Sequence, residues 1–461
     1  MRERAGLTPG PGPTPSGMRV VIDLRPLQEP ERAAITAAYL EHLLAAFAAD
    51  PMPGESFVPL LRGLRPDPTE APQAAGLVVA GRRWLPPTAR LLRAAGLTLD
   101  SFLLRAAAVG TTRGGPPSPT GVEVAPERVP AGATATAVPA APGRAVYHTA
   151  GGAVPLGSSL PVVATLLDLA PWELPAIYAA SPAARFGHRL RTRILRDATR
   201  LIVCSRTVAE SARRRVHIDP SHIAVVPLAP TPAFTTAARD AEPSAAIRTR
   251  LALPDRYLAF AGRFDARKDF ASLFAALDGL RKEEPSAREG RRHAVPWPPV
   301  LVVATPADVS DEERDALSQA IARHGLAPIV RVTPPLSAVD AAALEAGARG
   351  FVYPARSEAT GLQVIDALAL GVPVVASRVG ALADIVGPAG ILVEPGDPAR
   401  LAAAIRAIWA ADRIHEQLAR VARQRAEANA RTWADVARET RDVYAAAALE
   451  RRTVAGPAES E

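Results

Sequence analysis

Short apolar runs alternate with longer stretches whose apolar residues recur at helical spacing, and this alternation covers most of the chain. Met18–Leu24, Phe57–Leu61, Leu77–Ala80, Ala145–His148, Pro161–Leu167, Leu201–Cys204 and Ile223–Pro227 have the length and β-branched content of strands. Helical patterns fall at about 31–49, 182–199 and 206–215. A second series follows, with strands at Tyr257–Ala261, Val300–Ala304, Ile329–Val332, Gly350–Tyr353, Val372–Ala376 and Gly390–Val393. Helices separate these strands, and a final helical stretch runs from about 413 to 449. Strands that are apolar on both faces and alternate with helices imply parallel sheets covered on each side. The expected fold class is therefore α/β, with two doubly wound units.

The series breaks in a few places. Residues 1–17 are rich in Gly and Pro and are expected to form a disordered tail without a secretory signal. Residues 110–143 are Gly, Pro, Thr and Ala of low complexity, too poor in large apolar residues to build a core. Ala229–Ala246 has the composition of a linker, and Glu284–Pro298 that of a surface insertion. These breaks divide the chain into a first domain over 18–230, a second over 231–412, a helical segment over 413–449 and a tail over 450–461.

Composition narrows the function classes. Of 461 residues, 48% are apolar and 22% charged, as in a globular protein. No apolar run approaches the roughly 20 residues that span a bilayer. Cys204 is the only cysteine, which excludes an internal disulfide and a cysteine metal site, so a cytoplasmic location is expected. The net charge of +7 comes largely from arginine and suits anionic ligands. No nucleic-acid module is recognised, and aromatics are only 5%. No His/Asp/Glu cluster has metal-ligand spacing, and Gly-x-Ser-x-Gly is absent.

The densest chemistry lies in Ser357-Glu358-Ala359-Thr360-Gly361-Leu362-Gln363-Val364-Ile365-Asp366, followed by Gly371-Val372-Pro373 and an apolar strand. A helix beginning near Gly361 and Leu362 would direct unbonded N–H groups and a positive dipole end at a ligand phosphate. Glu358 and Asp366 would accept hydrogen bonds from sugar hydroxyls. An acid as closely flanked by apolar residues as Asp366 needs a partner. Gly262-Arg263-Phe264-Asp265-Ala266-Arg267-Lys268 follows the first strand of the second unit and places two cations where they could flank a diphosphate. His148 ends a strand of the first unit, where it could face a cleft or serve as a buried hydrogen-bonding histidine. Arg189, Arg193 and Arg196 share a helix with Phe186, as a solvated face or a contact for anionic lipid.

These motifs resemble those of retaining family-4 glycosyltransferases of the GT-B fold. The acidic stretch matches the family's Glu-x7-Glu motif with Asp366 at the second acid, and Arg263 and Lys268 match its Gly-Arg-x4-Lys signature. The resemblance continues through 380–386 and 390–397, and more thinly through the first unit. Ala34 and Thr36 stand where many members have Gly-x-Gly, and Leu167 stands before Asp168 where the family has His-Asp, a catalytic place that His148 could partly fill.

The resemblance implies two Rossmann-like domains facing across a cleft, with the C-terminal helix crossing back to the first. It implies transfer of a hexose from a nucleotide sugar to the hydroxyl of a glycan, lipid-linked or small-molecule acceptor, with retention and with no obligatory metal or cofactor. Arg263 and Lys268 would neutralise the leaving diphosphate, Glu358 would hold the donor sugar and Asp366 the ribose. A peripheral contact with the inner membrane surface is a further expectation, and nucleic acid is not an expected partner. The changes at Ala34, Thr36 and Leu167 keep an alternative open: a catalytically impaired homologue that binds nucleotide sugars or serves as a scaffold. A sugar-nucleotide epimerase is a third reading.

Overall fold

The computed structural model describes residues 17–85, 144–151, 154–155, 158–237, 242–283, 295–428 and 430–454. The low-complexity stretch at 110–143, most of the expected insertion at 284–298, and residues 1–16 and 455–461 of the tails lie outside them.

The first sheet contains β1 (Arg19–Asp23), β2 (Ser56–Arg62), β3 (Arg83–Leu85), β4 (Ala145–Ala150), β5 (Val162–Thr165), β6 (Arg200–Val203) and β7 (Ile223–Val225). Its order is β3-β2-β1-β4-β5-β6-β7, and every pairing is parallel. The second contains β8 (Leu258–Ala261), β9 (Leu301–Pro306), β10 (Val330–Leu336), β11 (Gly350–Tyr353), β12 (Val374–Ser377) and β13 (Gly390–Val393). Its order is β10-β9-β8-β11-β12-β13, again all parallel. In both sheets the first strand in sequence lies inside, and the order reverses beside it. Ligands in such folds bind at that reversal, beyond the carboxyl ends of the strands.

Burial on both faces explains the continuous apolar runs. β4 and β5 are almost wholly buried, and so are β11 and β12. One apolar core surrounds the second sheet, and two lie against the faces of the first. The first-domain cores also take in residues from distant sequence. Ala359 and Ala381 pack into one, while Leu362 and Ile365 pack against the other. The acidic motif therefore sits at the seam between the domains.

The C-terminal segment forms two helices: Asp412–Ala428 stays packed on the second domain, and Trp433–Val454 returns to the first as expected. Trp433, Val436, Tyr444 and Ala447 belong to a first-domain core. Trp433 donates its indole N–H to the Pro230 carbonyl at 3.1 Å, which ties the two crossover strands of chain together. Arg441 is buried against Glu55 in a two-pronged pair at 2.9 and 2.8 Å.

Three local expectations are corrected. Leu77–Ala80 makes only a single bridge, Phe57 to Val79, and the edge strand forms at Arg83–Leu85 instead. The stretch expected as a linker carries the helices Pro232–Ala237 and Glu242–Arg250, which pack against Ala338–Ala346. The helix expected from about 31 begins at Ala34, after a short turn of helix at Arg25–Gln28. Asp23 pins that turn by accepting from the backbone N–H and guanidinium of Arg25.

Removing one partner of a buried ion pair leaves a desolvated charge, at a cost of about 3–5 kcal/mol. Glu55→Ala is therefore expected to lower the urea midpoint of the chain, because Arg441 would keep only the Asp50 carbonyl at 2.7 Å and the exposed Asp50 carboxylate at 3.5 Å. A midpoint within error of the parent would show that Arg441 does not anchor the returning helix.

Candidate active site

Between the domains lies a cleft of about 860 Å³. The first domain contributes Pro30–Tyr39, Leu167, Asp168 and Arg191. The second contributes Gly262–Asp265, Arg267, Lys268, Asp308, Glu313, Tyr353, Thr360, Leu362 and Gln363.

A buried carboxylate organises its floor. Glu358 is 5% exposed. One oxygen accepts from the Thr360 N–H and hydroxyl at 3.2 and 2.9 Å and from the Gly361 N–H at 3.0 Å. The other accepts from the Lys268 ammonium and the Tyr353 hydroxyl, both at 2.8 Å. Lys268 also donates to that hydroxyl and lies 4.0 Å from the centre of the Tyr353 ring. Burial alone would raise the pKa of Glu358, but the Lys268 charge and these donors hold it down at about 2. Burial, together with the charge of Glu358, pushes the Tyr353 hydroxyl well above its ordinary value. The cluster is a buried ion pair with a neutral phenol beside it.

Local backbone chemistry brings the partners together. The Gly262–Lys268 turn lies along the segment after β11, with the Asp269 N–H donating to the Pro354 carbonyl and the Arg356 N–H to the Arg267 carbonyl. Asp269 caps the helix Phe270–Lys282 and also accepts from the Gly396 N–H at 2.8 Å. Gly380 has φ +46°, and a Cβ there would lie 1.8 Å from the Glu358 carbonyl oxygen. Only glycine permits that approach.

The expected site residues divide into two groups. Arg263, Lys268, Leu362 and the Glu358 cluster gather at the cleft, although Gly361 spends its N–H on Glu358 rather than keeping it for a ligand. The Leu362 and Gln363 N–H groups, in the first turn of the helix Leu362–Ala369, have no acceptor within the helix. The helix Ala34–Ala49 also starts at the cleft with no side-chain cap, so a second positive helix end faces the same space. Arg263 is engaged by its neighbours: Glu313 at 3.3 Å, the Asp308 carboxylate and carbonyl at 3.1 and 3.0 Å, and the Glu31 carbonyl across the cleft at 3.3 Å.

Asp366 and His148 are placed elsewhere. Asp366 points to the interdomain crossover, where it accepts from the Thr231 N–H at 2.7 Å and hydroxyl at 2.9 Å. It does not line the cleft; its buried carboxylate found its partner in the crossover backbone. His148 is fully buried, with Nε2 2.9 Å from the Thr165 hydroxyl and Nδ1 2.7 Å from Tyr444. Burial lowers its pKa to about 3, against the pull of Asp23, so it is a neutral core histidine and not a cleft residue. Leu167 lines the cleft directly, and the adjacent Asp168 accepts from the Ala170 N–H at 2.8 Å and lies 3.8 Å from Arg267.

Sequence reasoning missed Tyr353, Thr360, Arg267, Arg191, Asp308 and Glu313. Tyr353 carried a signal, because it ends a strand five positions before Glu358. Arg191 carried none: it reaches the Gly151 carbonyl at 3.1 Å and lies over Trp172, and only folding makes those contacts.

The comparisons with known proteins fit this architecture. Residues 255–411 match the family model for glycosyl transferases group 1. A D-inositol 3-phosphate glycosyltransferase of Streptomyces scabiei is 34% identical over 276 residues, covering 59% of this chain and 58% of that protein. The chain thus spans little more than half the length of that curated relative. Sucrose-phosphate synthase from Thermosynechococcus elongatus superposes with a TM-score of 0.60 at 20% identity, covering 95% of this chain and 98% of that one. Anabaena HepE in complex with UDP-glucose superposes with a TM-score of 0.61 at 14% identity, covering 94% and 100%.

Asp366 generates a pH prediction. Burial pushes its carboxyl up to about 7, only partly offset by the Thr231 donors, and Glu345, also buried, shifts the same way. An unfolded Asp titrates near about 3.9. Between these values the folded chain retains a proton that the unfolded chain has released, so stability falls as pH rises through this window and levels off above it. Asp366→Asn removes its share, so thermal midpoints from about pH 5 to 7 are expected to fall less steeply than in the parent. Equal slopes would show that Asp366 stays ionised in its contact with Thr231.

The two parallel sheets, the cleft between their carboxyl ends and the match through the second sheet converge: the chain has the GT-B fold, and residues 255–411 carry the likeness to the glycosyl transferases group 1.

Proposed function

We propose that the chain transfers a hexose from a nucleotide-sugar donor to an acceptor hydroxyl with retention of configuration. One observation carries this reading. The Lys268–Glu358 pair lies at the floor of an interdomain cleft, below one helix N-terminus and across from another. Two dipole ends, Lys268 and Arg263 are preorganised donors for a diphosphate, Glu358 holds Lys268 in place, and the diphosphate would compete with Asp308 and Glu313 for Arg263.

In this reading the donor diphosphate lies against Lys268, Arg263 and the Leu362 and Gln363 N–H groups. As the bond from the anomeric carbon to the diphosphate oxygen breaks, the electron pair stays on the diphosphate, and the nearby cations stabilise it. The acceptor oxygen bonds to the anomeric carbon on the face the diphosphate leaves, and a donor phosphate oxygen takes the acceptor proton. No metal or cofactor enters these steps. The HepE structure holding UDP-glucose supports a nucleotide sugar as donor, and the inositol-phosphate relatives support a small polar acceptor. We place the reaction in the cytoplasm.

A specific observation favours a second reading. Leu167 occupies the first-domain wall, and no histidine lines the cleft among the described residues. A protein that binds nucleotide sugars without turning them over would look the same on the donor side.

Incubation with a panel of nucleotide sugars and polyol or glycan acceptors, followed by NMR of the products, separates the readings. Transfer with the donor's anomeric configuration is expected. Inversion would overturn the retaining assignment, and tight binding without transfer or hydrolysis would establish the second reading. Arg263→Ala is expected to weaken nucleoside-diphosphate affinity by about tenfold or more, the worth of a charge-assisted hydrogen bond. Asp308→Asn is expected to act in the opposite direction, because it removes an acid that competes for the same guanidinium. Calorimetric titration reads both, and unchanged affinity in both variants would remove Arg263 from the donor site.

A further inference from the structure

On the first domain, outside the cleft, a second concavity of about 650 Å³ lies between the helices Pro182–Arg196 and Arg206–Val216. Its lining includes Arg189, Arg193, Arg196 and Arg215, the imidazoles of His188 and His217, and a single acid, Asp197. Charge of one sign at this density on a folded surface is costly unless a counter-charge meets it.

The arginines fall into two pairs. Arg196 donates through Nε to the Val216 carbonyl at 2.6 Å, and Arg215 donates through Nη1 to the Trp172 carbonyl at 3.0 Å. Backbone carbonyls therefore orient both guanidiniums without neutralising them, and each keeps further N–H donors. Arg189 and Arg193 form no hydrogen bond or ion pair among the described residues. Trp172 supplies a rigid wall: its indole N–H donates to the Thr192 hydroxyl at 2.9 Å, and His188 packs on its ring.

We propose that this concavity binds a phosphate group of a multiply charged ligand, a phosphomonoester or a diphosphate. Guanidinium forks match the paired oxygens of phosphate, and four of them against one carboxylate leave an excess suited to more than one negative charge. The ligand is either a free phosphate compound or the headgroup of a lipid. Phe186, on the same helix and 58% exposed, is placed to touch the surface that would carry a headgroup. The site is separate from the donor cleft and stands whether or not the proposed transfer is correct.

The test uses the full chain and an Arg189→Ser/Arg193→Ser variant. Both side chains are exposed, and surface changes of this kind rarely disturb the fold. Inorganic pyrophosphate is titrated calorimetrically at about 150 mM salt, which screens loose surface attraction. The titration is done on the Arg263→Ala background to weaken the cleft. Flotation with phosphatidylcholine vesicles, with or without phosphatidic acid, forms the second arm.

Pyrophosphate affinity about tenfold or more weaker in the double variant would establish a site for free phosphate compounds. Flotation that needs phosphatidic acid, is lost in the double variant and is competed by pyrophosphate would assign the same pocket to a headgroup. Three results would overturn the proposal: binding of neither probe, binding equal in parent and variant, or equal flotation with phosphatidylserine in place of phosphatidic acid.

Discussion

The structure of the site depends on the Lys268–Glu358 contact. Two opposite charges buried together are tolerable only when nearly every lone pair and proton finds a partner. Here Glu358 accepts from five donors, and Lys268 is further held by the Tyr353 hydroxyl and ring. Meeting that demand draws together the turn after β8, the end of β11 and the start of the helix Leu362–Ala369. The three segments have little freedom left, and the helix end and Lys268 that they present to the cleft are therefore fixed before any ligand arrives. Preorganisation of this kind is what makes electrostatic stabilisation effective.

The same constraint reaches the domain interface. Gly380 packs its backbone on Glu358, and Ala381 donates its N–H to the Glu358 carbonyl at 2.9 Å while packing into a first-domain core. Asp384, on the next helix, accepts from the Thr207 N–H and hydroxyl at 2.9 and 2.8 Å, and Ser357 donates to Glu173. Polar contacts thus join the two domains on either side of the acidic loop. Asp366 adds a third attachment at the crossover through Thr231. A carboxylate eight residues after Glu358 serves here to hold the chain between the domains rather than to line the cleft.

Cys204 and His148 show the cost of a packed first domain. Burial, with the Glu358 charge adding to it, pushes the Cys204 thiol up to about 12, so it is a small apolar side chain in function. His148 is neutral between Thr165 and Tyr444. Neither is available for chemistry in the cleft. The first domain offers instead a helix end, Arg191, Asp168 and the apolar wall at Leu167.

The architecture was legible in the sequence because its causes are local and repetitive. Strands buried on both faces must be apolar throughout, and helices that cover them must be apolar on one side, so alternation alone implied two parallel sheets. The turn chemistry around Gly262 and Gly361 was also local, and it pointed to Arg263, Lys268 and Glu358. Where short strands met the sheet edge, as at Leu77–Ala80 and Arg83–Leu85, pairing decided the outcome, and pairing is not written in local propensity. Residue type likewise did not fix which way Asp366 and His148 would face. A buried acid or imidazole goes where a partner lies, and the partners, Thr231 and Tyr444, are 135 and 296 residues away in the chain. The sequence by itself determined the elements and the cations of the site; the tertiary structure alone decided which polar side chains reach the cleft, because burial and hydrogen bonding are settled between segments that meet only on folding.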